Sequence, residues 1–204
     1  MSSLIMHVYI SNIIRKKYDF SYEFLYGSIM PDILKKSGED KNKVHYRTNN
    51  DYSLYEIDKF IKEKLTDNKS EYNLGYLAHL IQDKLFSQYM DKKIKDSIVN
   101  NQEYITYIFD NNSLHKKDEF LNLIYNEYAI IDDYLIKKYD VNLEYLTKRI
   151  LRINQNEKFV PIIKKELEVH VINDKELKMI NIVDIEQYIH ECVREFEKYI
   201  EDEL

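Results

Sequence analysis

Apolar positions recur every three or four residues along most of this chain, the spacing of one helix face. Residues 3–17 open with such a run, and Ser2 or Ser3 stands where an N-cap belongs. "FSYEFLY" at 20–26 predicts a second, short helix. "GSIMPDI" then breaks the pattern: Gly27 permits a turn, and Pro31 disfavours a helical Met30. Asp32 is therefore expected on a loop or at a helix start. A polar excursion, "KKSGEDKNK" (35–43), leads to a helix over 53–65 with Leu54, Ile57, Phe60, Ile61 and Leu65 on one stripe.

The next helix runs from about Tyr72 to Lys93, and further ones are expected near 101–110, capped from Ser113 onward, at 118–139 and over "VNLEYLTKRILRI". Pro161 is read as an interruption in "KFVPII". "LEVHVI" alternates as a strand would, but has no obvious partner. The last helix, 182–202, puts Ile185, Ile189, Val193, Phe196 and Ile200 on one face. No repeat or linker interrupts this series. The pattern predicts an all-α, single-domain multi-helix bundle over residues 1–204.

Composition supports that reading. Three glycines and two prolines in 204 residues favour long helices over strands joined by tight turns. The formal net charge of −6, with lysines and acids interspersed, argues against stable binding to duplex nucleic acid, which calls for a basic stripe. No apolar run reaches the ~18–20 residues of a bilayer span. "MSSLIMHVYISNIIRKK" lacks a secretory pattern, and the lone Cys192 cannot pair internally, so a cytoplasmic location is expected.

One helix changes the picture. "GYLAHLIQDKLF" (75–86) carries an ordinary apolar stripe of Leu74, Leu77, Ala78, Ile81 and Leu85. With His79 set at 0°, Asp83 falls at about 40°, and Tyr76, Leu80 and Phe86 flank them at about 60°, 100° and 340°. A helix apolar nearly all round is a buried one, and a buried carboxylate needs a partner. That partner is either an internal ion pair or a metal ion, and the HxxxD spacing alone fits both. Gly75, one turn before His79, leaves room on that face. His7 in the apolar first helix, Asp32 after Pro31, and His45 at the end of the polar loop add further groups suited to zinc.

In that order, "MHVYIS", "GSIMPDI", "VHY" and "GYLAHLIQDKLF" resemble the zinc-dependent phospholipase C family, whose superfamily includes the fungal single-strand nucleases. The resemblance covers about the first 90 residues by motif. "IYNEYAIIDDYLIKKYD" and the final helix are similar to uncharacterised bacterial members. It implies an all-α bundle with zinc held between helices. Asp32, His45, His79 and Asp83 match ligands of the first zinc, with Asp83 bridging to another, and His7 matches the histidine of that other ion. Asp32 would also act as catalytic general base.

Three departures bear on a third ion. The chain has no tryptophan to expose at its start, Tyr89 stands where secreted members have a histidine, and Tyr125 and Glu127 stand where a histidine and an aspartate often open a later helix. Glu127 remains a candidate ligand. The set therefore suits two zinc ions. His115 with Glu119 and Glu186 with His190 also have ligand spacing, but surface and structural roles fit them better, and Asp132 with Asp133 reads as a polar helix face. Arg47 is a candidate phosphate contact, with surface exposure favoured.

The resemblance implies a metal-dependent phosphoric ester hydrolase in which hydroxide attacks a phosphodiester at a dinuclear site. The substrate would be a phospholipid head group, a nucleotide or a single-stranded nucleic acid. The alternatives are an intracellular nuclease-like activity, or a non-catalytic helical protein with a structural or vestigial zinc.

Overall fold

The computed structural model describes residues 3–48, 54–100, 114–168, 177 and 180–203, with side chains excepted at 93–100, 114–124 and 202–203. Its elements are α1 (Leu4–Tyr18), α2 (Tyr22–Lys36), α3 (Lys41–Val44), α4 (Ile57–Phe60), a π-turn (Ile61–Leu65), α5 (Glu71–Asn100), α6 (Leu114–Lys138), α7 (Leu143–Ile153), α8 (Phe159–Glu166) and α9 (Ile182–Glu203). No strand occurs among the described residues. The helix expected at 101–110, the Ser113 cap, His170 and most of "LEVHVI" lie outside them.

Several helices start where the sequence supplies a cap. The Ser3 hydroxyl accepts the Met6 N–H at 3.0 Å and starts α1. Asp19 ends it in the left-handed region, at φ 54°. Ser21 caps α2, and Glu71 reaches across from α5 to accept the Ser21 N–H at 2.7 Å. The polar loop is not wholly irregular, because Asp40 caps the single turn α3 through the Lys43 N–H.

Three local expectations fail, each for a physical reason. α2 does not stop before Pro31 but runs through it, so Asp32 is an interior helix residue. The proline costs only its own bond to the Gly27 carbonyl, and burial of Phe24, Leu25, Ile29 and Ile33 holds the rest of the helix in place. Pro161 sits in the first turn of α8, where N–H groups have no intrahelical acceptor, so it opens a helix. Leu54 lies outside α4 and is 54% exposed. Tyr55 next to it forms an isolated antiparallel bridge with Arg47.

α2 lies along α5 as the most extensive helix pair, with α1 against α2 and α9 against α5. The contact is backbone on backbone. A Cβ added to Gly27 would come within 2.0 Å of the Tyr72 carbonyl oxygen, and one added to Gly75 within 2.0 Å of the Phe24 carbonyl oxygen. The room left by Gly75 is thus filled by α2 itself. One apolar core runs from Leu4 to Phe196, with Phe24, Phe86 and Phe196 wholly buried. Burying each such side chain stabilises the fold by about 1.5–3 kcal/mol.

Candidate metal centre

Close approach of α2 and α5 brings Asp32 next to His79 and Asp83. α1 delivers His7 to the same point, and the end of α3 delivers His45. His7, His45, His79 and Asp83 have no exposed surface, and Asp32 is 6% exposed. Two overlapping triads, His7–Asp32–His79 and His45–His79–Asp83, each bring three donor atoms within 4.8 Å of one another.

The three histidines of the cluster are turned the same way. His79 Nδ1 lies 2.8 Å from the Ser28 carbonyl of α2. His45 Nδ1 lies 3.1 Å from the Lys41 carbonyl, so this side chain also caps α3. His7 Nδ1 lies 2.9 Å from Gln82 Oε1, and Gln82 Nε2 donates in turn to Ser11 Oγ at 3.0 Å. Carbonyl and amide oxygens only accept, so each Nδ1 donates and each Nε2 points inward to the carboxylates. Ligating histidines are commonly oriented in this way by their second ring nitrogen. Tyr76 of α5 steadies the residue before His45 by donating to the Val44 carbonyl at 2.5 Å.

The inward atoms face carboxylates at distances too long for good hydrogen bonds. His7 Nε2 is 3.4 Å from Asp83 Oδ1, and His45 Nε2 is 3.4 Å from Asp32 Oδ1. Asp83 Oδ2 lies 3.6 Å from His79 Nε2 and 3.7 Å from His45 Nε2. Two ligands at ~2.05 Å from one tetrahedral zinc sit about 3.3 Å apart. The observed separations are close to that edge. The Nε2 atoms of His45 and His79 are buried without a hydrogen bond, a cost of about 1–3 kcal/mol each that a cation removes. The donor set fits zinc.

Electrostatics agree. Burial, and then His79 stacked on it at 3.9 Å between ring centroids, hold His7 below the usual imidazole pKa. Burial pulls His79 down as well, but Asp83 and Asp32 outweigh it and raise this group. Burial pushes both carboxyls up, and the surrounding positive groups reverse that. His45 and His79 hold Asp32 far below the usual carboxylate range, while His79 and His7 contribute to the same shift at Asp83. Both aspartates are therefore anions at neutral pH.

Glu127 does not join this cluster. It is buried, and its Oε2 accepts the Ile180 N–H at 2.8 Å. Tyr89 directs its hydroxyl to Asp184 at 3.4 Å, and Tyr125 is 61% exposed. Glu186 pairs with Lys138 and Tyr134, and His190 is exposed. The side chains of His115 and Glu119 lie outside the described residues. Two expectations change. Arg47 is buried, with its guanidinium 5.2 Å from the Tyr55 ring centre. Asp132 is also buried, donated to by Ser3 Oγ at 2.5 Å, and burial raises its carboxyl to about 7. Gln82 was not singled out by sequence, because an amide beside a ligand carries no ligand signature.

A helical bundle with buried histidines and aspartates converging between its helices belongs to the metal-binding all-α proteins. The family model for zinc dependent phospholipase C matches residues 6–155, and the chain belongs to that family. No curated protein and no solved structure matches it. Among the described residues no helix is long and apolar enough to cross a membrane.

Proposed function

We propose that the protein is a zinc-dependent phosphodiester hydrolase with a dinuclear site formed by His7, Asp32, His45, His79 and Asp83. The observation that carries this reading is the orientation of Asp83: Oδ1 faces His7, whereas Oδ2 faces His45 and His79. A carboxylate whose two oxygens serve two histidine groups is suited to bridge two ions. Zinc, when bound, lowers the pKa of a water ligand to near neutrality and polarises a phosphoryl oxygen.

The chain's own groups do the rest. Anchoring of each Nδ1 aims the Nε2 atoms of His7, His45 and His79 at the cluster, where they would hold the metal. Asp32, the one member of the cluster with any solvent contact, would accept the proton of the attacking water; its carboxyl is ionised at neutral pH, as that role requires, and its low pKa makes it a weak base. The buried helices around the cluster exclude bulk water, which strengthens each electrostatic contact. The substrate class is a phosphate ester; a phospholipid head group, a nucleotide and single-stranded nucleic acid are the members to compare.

Metal analysis of protein purified without chelator should find zinc. Wild type and Asp83→Asn should then be assayed on bis-p-nitrophenyl phosphate, a phosphatidylcholine analogue and single-stranded DNA. The expected result is activity on at least one of them, lowered 100-fold or more, by about 3 kcal/mol of barrier, in the variant. Zinc bound without activity on any substrate would instead support a structural site, the reading favoured by the engagement of Glu127 and Tyr89 elsewhere.

A further inference from the structure

A second cluster lies at the opposite end of α1 and α2. Arg15 is eight residues beyond His7 on α1, about 12 Å along the axis, and Tyr22 is ten residues before Asp32 on α2, about 15 Å. Two guanidiniums approach the Tyr22 ring, those of Arg15 and Arg149, both 4.4 Å from its centre. Arg149 belongs to α7, where Tyr145, Arg149 and Arg152 share one stripe at the i, i+4, i+7 spacing. Two of the chain's five arginines thus meet at Tyr22, and Arg152 lies near its partner Tyr145.

Among the described residues these arginines have no acidic partner. Arg15 spends two donors on Asn12 Oδ1 at 3.0 Å and the Phe20 carbonyl at 3.2 Å. Arg149 and Arg152 make no hydrogen bond or ion pair among the described residues. The neighbouring Glu144 is taken by Lys148, and Asp140 beside the patch pairs with none of the three. In a chain with 36 acidic and 30 basic residues, three such arginines around the Tyr22–Tyr145 pair are a departure from the interspersed surface. Tyr22 donates to the Tyr145 hydroxyl at 3.2 Å, leaving the Tyr145 proton pointing to no acceptor among the described residues. That hydrogen bond first, and then the guanidiniums, hold the Tyr145 phenol below its usual pKa and make it a stronger donor. A cavity of about 340 Å³ opens beside Arg15, Tyr22 and Tyr145, lined also by Asn12, Lys16 and Tyr139, with Arg149 and Arg152 outside its lining.

We propose that Arg15, Arg149, Arg152 and Tyr145 form a binding site for a phosphate group, separate from the metal cluster. Guanidinium forks match phosphate oxygens in geometry and charge. The Tyr22 ring pre-orients two of them, so little side-chain freedom is lost on binding. Free phosphate or pyrophosphate and the head group of an anionic lipid offer the same chemistry. The proposal does not depend on the hydrolase reading.

The test is isothermal titration of the metal-loaded protein with pyrophosphate, alongside sedimentation with phosphatidylcholine vesicles that contain or lack phosphatidic acid. Wild type should bind pyrophosphate, the phosphatidic acid vesicles, or both, and more weakly as salt rises. Arg149→Gln with Arg152→Gln should weaken that binding by about tenfold or more, while Asp32→Asn should leave it in place. Arg152→Gln alone, exposed and off the tyrosine ring, serves as the variant least able to disturb folding and should show a smaller loss. Binding to vesicles alone would identify a lipid head group as the source; binding to pyrophosphate alone would identify a free phosphate. No binding to either probe, or equal binding by wild type and the arginine variants, would overturn the site and leave the arginines as braces between α1, α2 and α7.

Discussion

Buried carboxylates occur in two regions of this bundle, and their surroundings differ. At the α2–α5 crossing, Asp32 and Asp83 face the Nε2 atoms of three histidines. Further along, Glu127 faces a backbone N–H and Asp132 faces a serine hydroxyl. The second pair is satisfied by the chain itself. The first gathers two anions and three imidazoles around one point, an arrangement that a cation would complete. Burial alone therefore does not mark a metal ligand; what matters is whether the facing groups are themselves ligand atoms or the chain's own N–H and O–H donors.

Several substitutions put that contrast to work. Gly75→Ala should have the largest effect, because the added Cβ meets the α2 backbone and Ser28 cannot shift without releasing His79. A loss of about 3 kcal/mol or more is expected, with loss of bound metal, by chemical denaturation and metal analysis. Asp132→Asn acts with the opposite sign. The Asp132 carboxyl is raised to about 7 in the folded protein, so its contribution is present below the usual carboxylate pKa and is lost as pH rises through about 7. The asparagine variant should match wild type near pH 4 and exceed it near pH 8 by on the order of 2 kcal/mol. A variant less stable than wild type at pH 8 would break the distinction between the two regions.

Smaller effects sharpen it. Gln82→Leu removes the acceptor that fixes His7 and should weaken metal binding by about 10- to 100-fold, as measured by chelator competition. Glu127→Ala should cost about 1–2 kcal/mol through the orphaned Ile180 N–H and leave metal content unchanged. Loss of metal in that variant would bring Glu127 into the centre after all.

Much of this was legible in the sequence, where one principle dominated. The apolar period located α1, α5 and α9, and the conflict between period and charge in "GYLAHLIQDKLF" pointed to His79 and Asp83. Local rules failed where a distant partner decided the outcome. Pro31 reads as a helix stop because its neighbours in sequence are visible and α5, which packs on it, is not. Arg47 reads as exposed because nothing marks Tyr55, eight residues on, as the ring that covers it. Asp132 reads like Asp133, yet only Asp133 reaches a surface lysine, Lys137. Gln82 has no chemical signature of its own and gains meaning only from His7 and Ser11.

The near-complete enclosure of the cluster also governs timing. Four of its five donors have no solvent contact, and Asp32 has little. An ion held there leaves either past Asp32 or when the helices part. Dissociation should then follow the protein's own opening rate and stop responding to chelator once chelator is in excess. On this view inactivation by chelator is a slow clock that reports breathing of the α2–α5 crossing, and mutations far from any ligand will reset it.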